Sequence, residues 1–296
     1  MIILSPIPIT AGKLTASNVP ETDYAAYVAG TTYALAARVI VVADHAIYES
    51  LQAGNVGHTP LTSPLFWIEV SATNRYQMFD QYIGTRTALA SPLTVTVTPG
   101  QLFDAVAVLE TTASSVRVKV TDTEYGLVYD KTQDLTSSEG ITDWYAYFFQ
   151  PVVRRTTAIF TGIPAFANAA IEITFTDTGP VACGVCLIGP TMDVGTTLAG
   201  ASVGIQDYSK KTQDEWGNYS IVQRAFRKRG RFPLMVPSNK VDTVQRLMAS
   251  LRAIPALYIG SDQYDSTSIY GFFKEFDINI KYPYYSEYTL DIEGLV

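Results

Sequence analysis

At 296 residues the chain is longer than one average domain, and with 47% hydrophobic and 17% charged residues it can build packed cores and is not a disordered chain. Its formal net charge of −7 argues against nucleic acid as a partner, because neutralising phosphates needs a basic face. Two cysteines, Cys183 and Cys186, exclude a disulfide framework; with no second pair and no nearby histidine they also fall short of the roughly four ligands of a zinc site, so no metal or other cofactor is expected.

Aromatic residues make up 12% of the chain, led by 19 tyrosines, and threonine and valine recur throughout; these side chains suit pleated, half-buried strands. The expected fold is mainly β. Met1 to Pro6 holds neither a basic region nor a long apolar run, so no secretory signal is expected. Nowhere do roughly 18 uninterrupted apolar residues occur, so no membrane span is expected. These readings make the product a protein synthesised in a cytoplasm.

Three segments follow one another. Residues 1–73 read as a small β module. Arg38 to Val42 and Ala46 to Leu51 are strands, and Ala43-Asp44-His45 between them makes a tight hairpin. A loop with Gly54, Gly57 and Pro60 leads to a third strand at Phe66 to Val70. Residues 74–194 read as a β-sandwich or jelly roll. Leu93 to Thr98, Val116 to Val120 and Ile171 to Phe175 alternate with period two, while Ala105 to Leu109 is continuously apolar, as in a strand covered on both faces. Cys183 and Cys186 lie in one apolar strand-like run, where residues three apart point to opposite faces; they read as two buried small side chains.

Residues 195–296 read as an α+β domain with one helix on a sheet. Trp216-Gly217-Asn218 is a turn, with strands around Ser220 to Lys228 and Phe232 to Val236. Val241, Val244, Met248 and Leu251 share a helical face, so a helix is predicted over Asn239 to Arg252, capped by Ser238 and stopped at Pro255. Phe276, Ile278 and Ile280 alternate with Asp277, Asn279 and Lys281, and Tyr288, Leu290 and Ile292 with Thr289, Asp291 and Glu293. Tyr282 to Tyr285 joins those two strands.

The sequence offers little for catalysis. His45 at the hairpin and His58 in a glycine-rich loop read as solvated turn residues. There is no Gly-x-Ser-x-Gly elbow, phosphate loop or dinucleotide fingerprint. A glycosidase would need two converging carboxylates; Glu139 and Asp143 flank the Trp144 aromatic run and Glu275 and Asp277 share a strand face, where they read as solvated charges, and no catalytic residue is assigned. Arg224, Arg227, Lys228, Arg229 and Arg231, extended by Lys210 and Lys211, form a basic cluster in an acidic chain, which favours a subunit interface over DNA. Trp144-Tyr145-Ala146-Tyr147-Phe148-Phe149, read as a strand, divides its rings between two faces, one for a core and one for a second domain or subunit, with sugar stacking as the alternative.

Tyr27-Val28-Ala29-Gly30-Thr31-Thr32-Tyr33 through Phe66-Trp67 resembles small β modules of the type-3 chitin-binding kind, with Tyr33, Val39, Tyr48 and Trp67 at the recurring positions. The resemblance implies carbohydrate contact through Tyr33, Tyr48 and Trp67. It departs from the pattern in the loop Ala53 to Pro60, which has no tryptophan. The central segment resembles the galactose-binding-like jelly roll in strand texture alone. Asp143 to Phe149, Gly204 to Ser209 and Leu290 to Leu295 are similar to virion proteins of tailed-bacteriophage structural gene clusters. That resemblance implies a multimeric component of the tail or host-attachment apparatus, made in the host and released by lysis. Its partners would be copies of itself, other tail proteins and host surface glycan.

On this reading residues 205 to 296 dock onto the particle through Arg224, Arg227, Arg229, Arg231, Phe272, Phe273, Tyr284 and Tyr285, since interface centres favour aromatic and arginine side chains. The N-terminal module would stay exposed. The competing reading is a free carbohydrate-binding or polysaccharide-degrading protein.

Overall fold

The computed structural model describes residues 1–80, 82–137, 143–149, 153–261, 264–280 and 282–295; Glu139 and Lys281 lie outside them. The chain is mainly β and divides into two compact units, one of residues 8–102 and 106–187, the other of residues 1–7, 103–105 and 188–296. This differs from three consecutive segments. The small module and the sandwich fall within one unit, and the first strand belongs with the C-terminal residues. Ile2–Leu4 pairs with Ala256–Ile259 on one side and Thr191–Asp193 on the other, burying Ile3 and Leu4 completely. Partners more than 180 positions away leave no local trace in the sequence.

In the first unit a five-stranded antiparallel sheet runs Gly126–Asp134, Ser115–Asp122, Ala170–Thr176, Leu93–Val97, Leu14–Ser17. Its period-two alternation sends Leu93, Val95, Val97, Val116, Val118, Val120, Ile171, Ile173 and Phe175 to one fully buried face of a sandwich core. Ala105–Leu109 is buried along its whole length, as its unbroken apolar run predicts. Cys183 and Cys186 are both buried but sit in different strands, Pro180–Cys183 and Val185–Gly189, separated at Gly184. The small module is a three-stranded sheet, Arg38–Val41, Ala46–Ser50 and Trp67–Ala72.

Trp144–Phe149 is a helix and not a strand. The Tyr147 N–H donates to the Asp143 carbonyl at 3.0 Å, and rings three or four positions apart meet: Trp144 with Tyr147 and Phe148, Tyr145 with Phe149. Those i,i+3 and i,i+4 contacts exist only on a helix. The five rings remain exposed, Trp144 at 78%.

In the second unit the described residues form an eight-stranded antiparallel sheet. Its order is Thr191–Asp193, Ile2–Leu4, Ala256–Ile259, Ser268–Asn279, Tyr285–Gly294, Phe226–Pro237, Thr196–Thr197, with Ser202–Asp207 also on Phe226–Pro237. The helix Val241–Ser250 lies within the predicted span, preceded by a 3-10 turn at Ser238–Lys240. Val244, Met248 and Leu251 join Phe232, Leu234, Val236, Tyr258, Leu290 and Ile292 in one core. Ser238 does not cap the helix through its side chain, because the 3-10 turn moves the helix start to Lys240 and leaves the Ser238 hydroxyl buried without a partner.

Two close approaches hold this unit together. The Phe232 ring fills the space a side chain would take at Gly230 and at Gly260, where an added Cβ would lie 2.5 Å from it. Gly271 pairs with Gly294 across the two C-terminal strands, and a Cβ there would overlap the Glu293 carbonyl oxygen, a backbone atom that cannot rotate away. Gly271→Ala is therefore expected to destabilise the second unit by about 3 kcal/mol, the upper range for overpacking a tight site. Denaturant melts of the two proteins side by side measure the difference.

Candidate interaction surfaces

The basic cluster is divided: Lys210 and Lys211 lie on a β arm, Arg224 follows the arm, and Arg227, Lys228, Arg229 and Arg231 lie on Phe226–Pro237 of the main sheet. Among the described residues, Lys210–Gln213 and Tyr219–Val222 pair only with each other, in register Lys210 with Val222 through Gln213 with Tyr219. The sequence closes this hairpin locally. The Asp214 carboxylate accepts the N–H groups of Trp216 (3.0 Å) and Asn218 (2.7 Å), and Gly217 takes the left-handed backbone, φ 84°, that the turn needs. Hydrogen bonding to the turn amides and the Asn218 side chain holds the Asp214 carboxyl below the usual carboxylate range. Every residue of both strands is exposed, as is Trp216 at 88%. Tyr219 and Ile221 share one face with Lys211 and touch no core of their own.

The arm springs from Phe226–Pro237, whose residues before Arg229 pair with Ser202–Asp207 but not with Tyr285–Gly294. Further along, the outer face of the sheet is charged by register. Arg229 and Arg231 stand opposite Glu293 and Asp291. Arg227 grips the Glu293 carboxylate at 2.9 and 3.3 Å, and Arg231 approaches Asp291 at 3.6 Å. Beyond the Arg227 pair, Glu275, Asp277 and Glu287 line an open groove of about 420 Å³ with Asn279, Thr289 and Asp291, and Arg231 stands at it as the one cation of the lining. Glu275 and Asp277 do share a strand face, but no ion pair is made by them or by Glu287 among the described residues.

The other interface candidates divide. Arg224 is exposed, and Tyr284 is exposed at 85%, while Tyr285 is half-buried and stacks on Tyr282 at 4.6 Å. Phe272 is half-buried, and Phe273 packs against the core of the unit, so this pair is not a free aromatic surface.

The three carbohydrate candidates do not form a platform. Trp67 is 2% exposed and Tyr48 is buried beside it; Tyr33 and Tyr27 meet the indole at 5.1 and 5.9 Å, edge to face. The Trp67 Nε1–H donates to the His58 carbonyl at 2.8 Å. The Tyr48 hydroxyl donates to Asp44, and burial together with that bond raises its pKa. A sheet of only three short strands uses its large rings as core: Tyr48 and Trp67 are buried, and the half-buried Tyr33 packs against them.

No protein-family model matches this chain, and no curated protein matches it.

Both histidines have partners, contrary to their reading as solvated turn residues. His45 takes a left-handed backbone at the hairpin, φ 53°, stacks on Tyr76 at 4.2 Å and bonds Glu21 at 2.7 Å. Glu21 also accepts from the Thr73 hydroxyl at 2.7 Å and pairs with Arg75 at 3.3 Å. The buried carboxylate thus joins three stretches of chain that sequence reasoning had no means to connect, because its partners lie 24 to 54 positions away. His58 stacks on Phe66 at 3.5 Å. Among the described residues no three His, Cys, Asp or Glu side chains converge as metal ligands would.

Two outcomes follow. Trp67→Ala is expected to cost about 3–5 kcal/mol by emptying the module core, read as a lost or lowered melting transition; a fully stable variant would return Trp67 to the surface. Burial pushes the Cys183 thiol well up and the Cys186 thiol up to about 12. Neither should react with a thiol reagent at pH 8 until the protein is unfolded, which mass spectrometry of alkylated native and denatured protein decides.

Proposed function

We propose that this chain is a non-catalytic structural component of a tailed-bacteriophage particle, in the tail or host-attachment apparatus. The observation that carries the assembly reading is the arm. A two-stranded hairpin with both faces in water is marginal alone, and this one bears Trp216, Tyr219 and Ile221 beside the exposed Lys210 and Lys211. A surface of that composition suits a protein partner. The phage reading is supported by the similarity of three segments to virion proteins. Among the described residues, no helix is long and apolar enough to cross a membrane.

The rings offered to a host glycan are those of the exposed helix Trp144–Phe149, since Tyr48 and Trp67 are core. That weakens the reading as a free carbohydrate-binding protein, which rested on the small module. Particles purified after lysis of the cells that encode the chain provide the test. Mass spectrometry is expected to find it at a fixed copy number relative to the other virion proteins. Particles that lack it overturn the proposal.

A further inference from the structure

The geometry points to the partner of the arm: the acidic groove lined by Glu275, Asp277 and Glu287 on a second copy of this chain. The inference rests on the reading of the chain as an assembly subunit and adds the two surfaces that meet.

Charge complementarity selects the occupant. Between Ser202 and Arg231 the chain carries seven basic and three acidic residues, while the remainder carries 14 basic and 25 acidic ones. Within one copy these charges are only partly matched. Arg227 is held by Glu293 and Gln206, and Arg231 faces Asp291. Lys210, Arg224 and Arg229 make no ion pair among the described residues, Lys211 reaches Asp207 only at 3.9 Å, and Glu275, Asp277 and Glu287 are unmatched as well. The arm does not lie in its own groove, for Lys210–Gln213 and Tyr219–Val222 are exposed throughout. Two unmatched sets of opposite sign on one subunit are satisfied when the arm of one copy enters the groove of the next.

The register adds shape to the charge. Glu275 stands opposite Asp291, Asp277 opposite Thr289 and Asn279 opposite Glu287, so carboxylates crowd one stretch of sheet where like charges repel. Cations from a neighbour relieve that repulsion. The hairpin supplies them together with Tyr219 and Ile221, and the groove borders Leu198 and Pro233, both half-buried, against which apolar side chains can pack. Arm and groove are different patches of the same chain. The contact is therefore head-to-tail, and it repeats from copy to copy into a ring or a filament. DNA would also attract the arm but would leave the groove unused.

Charge reversal tests the pairing. Arm reversal combines Lys210→Glu, Lys211→Glu and Arg224→Glu; groove reversal combines Glu275→Lys, Asp277→Lys and Glu287→Lys. All six side chains are exposed or at the rim, so both variants should melt close to the parent. Sedimentation velocity of the full chain is expected to show association that weakens about tenfold or more between low and high salt. Each reversed variant alone should be monomeric, and an equimolar mixture of the two should associate again. Lys211→Cys mixed with Asp277→Cys should form an intermolecular disulfide under oxidation.

A parent chain that stays monomeric at all concentrations overturns the inference. So does association that survives groove reversal, a mixture that fails to recover, or binding of the arm to duplex DNA without self-association. If groove-reversed chain enters particles at the normal copy number, the arm–groove contact is wrong while the assembly reading stands.

Discussion

The alternation along Tyr285–Gly294 governs the second unit. Ser286, Tyr288, Leu290, Ile292 and Gly294 point into the core and Glu287, Thr289, Asp291 and Glu293 point out, without a break over ten residues. Because this strand pairs with both Ser268–Asn279 and Phe226–Pro237, its period of two sets the register of the whole sheet. One face is thereby committed to Phe232, Val244 and Met248, and the other becomes a charged surface running from arginine to carboxylate. Gly271 lets the backbones of the two C-terminal strands approach where a side chain would collide, and Gly294 does the same against the Lys228 backbone of Phe226–Pro237. A slip by one residue would bury the carboxylates and expose the core. The charged face is thus a consequence of how the core is built.

Much of this was legible because it is periodic. The strand alternation, the apolar face Val241 to Leu251 and the turn at Trp216 to Asn218 are local patterns, and each lies where the sequence places it. The failures share a cause as well. The seating of Ile2–Leu4 among C-terminal strands, the link from Glu21 to His45 and Arg75, and the burial of Trp67 depend on contacts between distant segments. Trp144 to Phe149 failed differently: six residues without charge are too few to show a period, and a strand of aromatics is the better guess until ring contacts at i,i+4 are visible. For the surfaces, the arginine cluster could be read from composition alone. Its complement could not, because Glu275, Asp277 and Glu287 converge only through the pairing of two strands.

The module shows how a resemblance can identify residues and mistake their role. Tyr33, Tyr48 and Trp67 recur at positions that a small three-stranded sheet needs for its own stability. In a unit with so few buried side chains, each large aromatic contributes a sizeable part of the hydrophobic stabilisation. The hydrogen bond from the Trp67 indole to the His58 carbonyl also ties the loop Ala53 to Pro60 to this core. Recognition of sugar requires a flat ring in water; here Trp67 is 2% exposed and meets Tyr27 and Tyr33 edge to face, while the half-buried Tyr33 stacks on Tyr27.

The arm brings the argument back to energetics. Its turn is well specified by Asp214, Gly217 and Asn218, so register is not what it lacks. It lacks a surface on which to bury Trp216, Tyr219 and Ile221, whose transfer from water is worth roughly 1.5–3 kcal/mol for a side chain of this size. In the proposed assembly, ordering the hairpin and docking it would be one coupled equilibrium, in which the partner would supply the missing layer. Exposed strand edges also invite indiscriminate pairing, and edge lysines are a known defence against it. Lys210 and Lys211 lie on one strand of the arm, and Arg224 follows the other. These cations keep free arms apart by repulsion and lose that repulsion only against an acidic surface. In the proposed assembly, one set of side chains would both restrain the unassembled chain and choose what it assembles with.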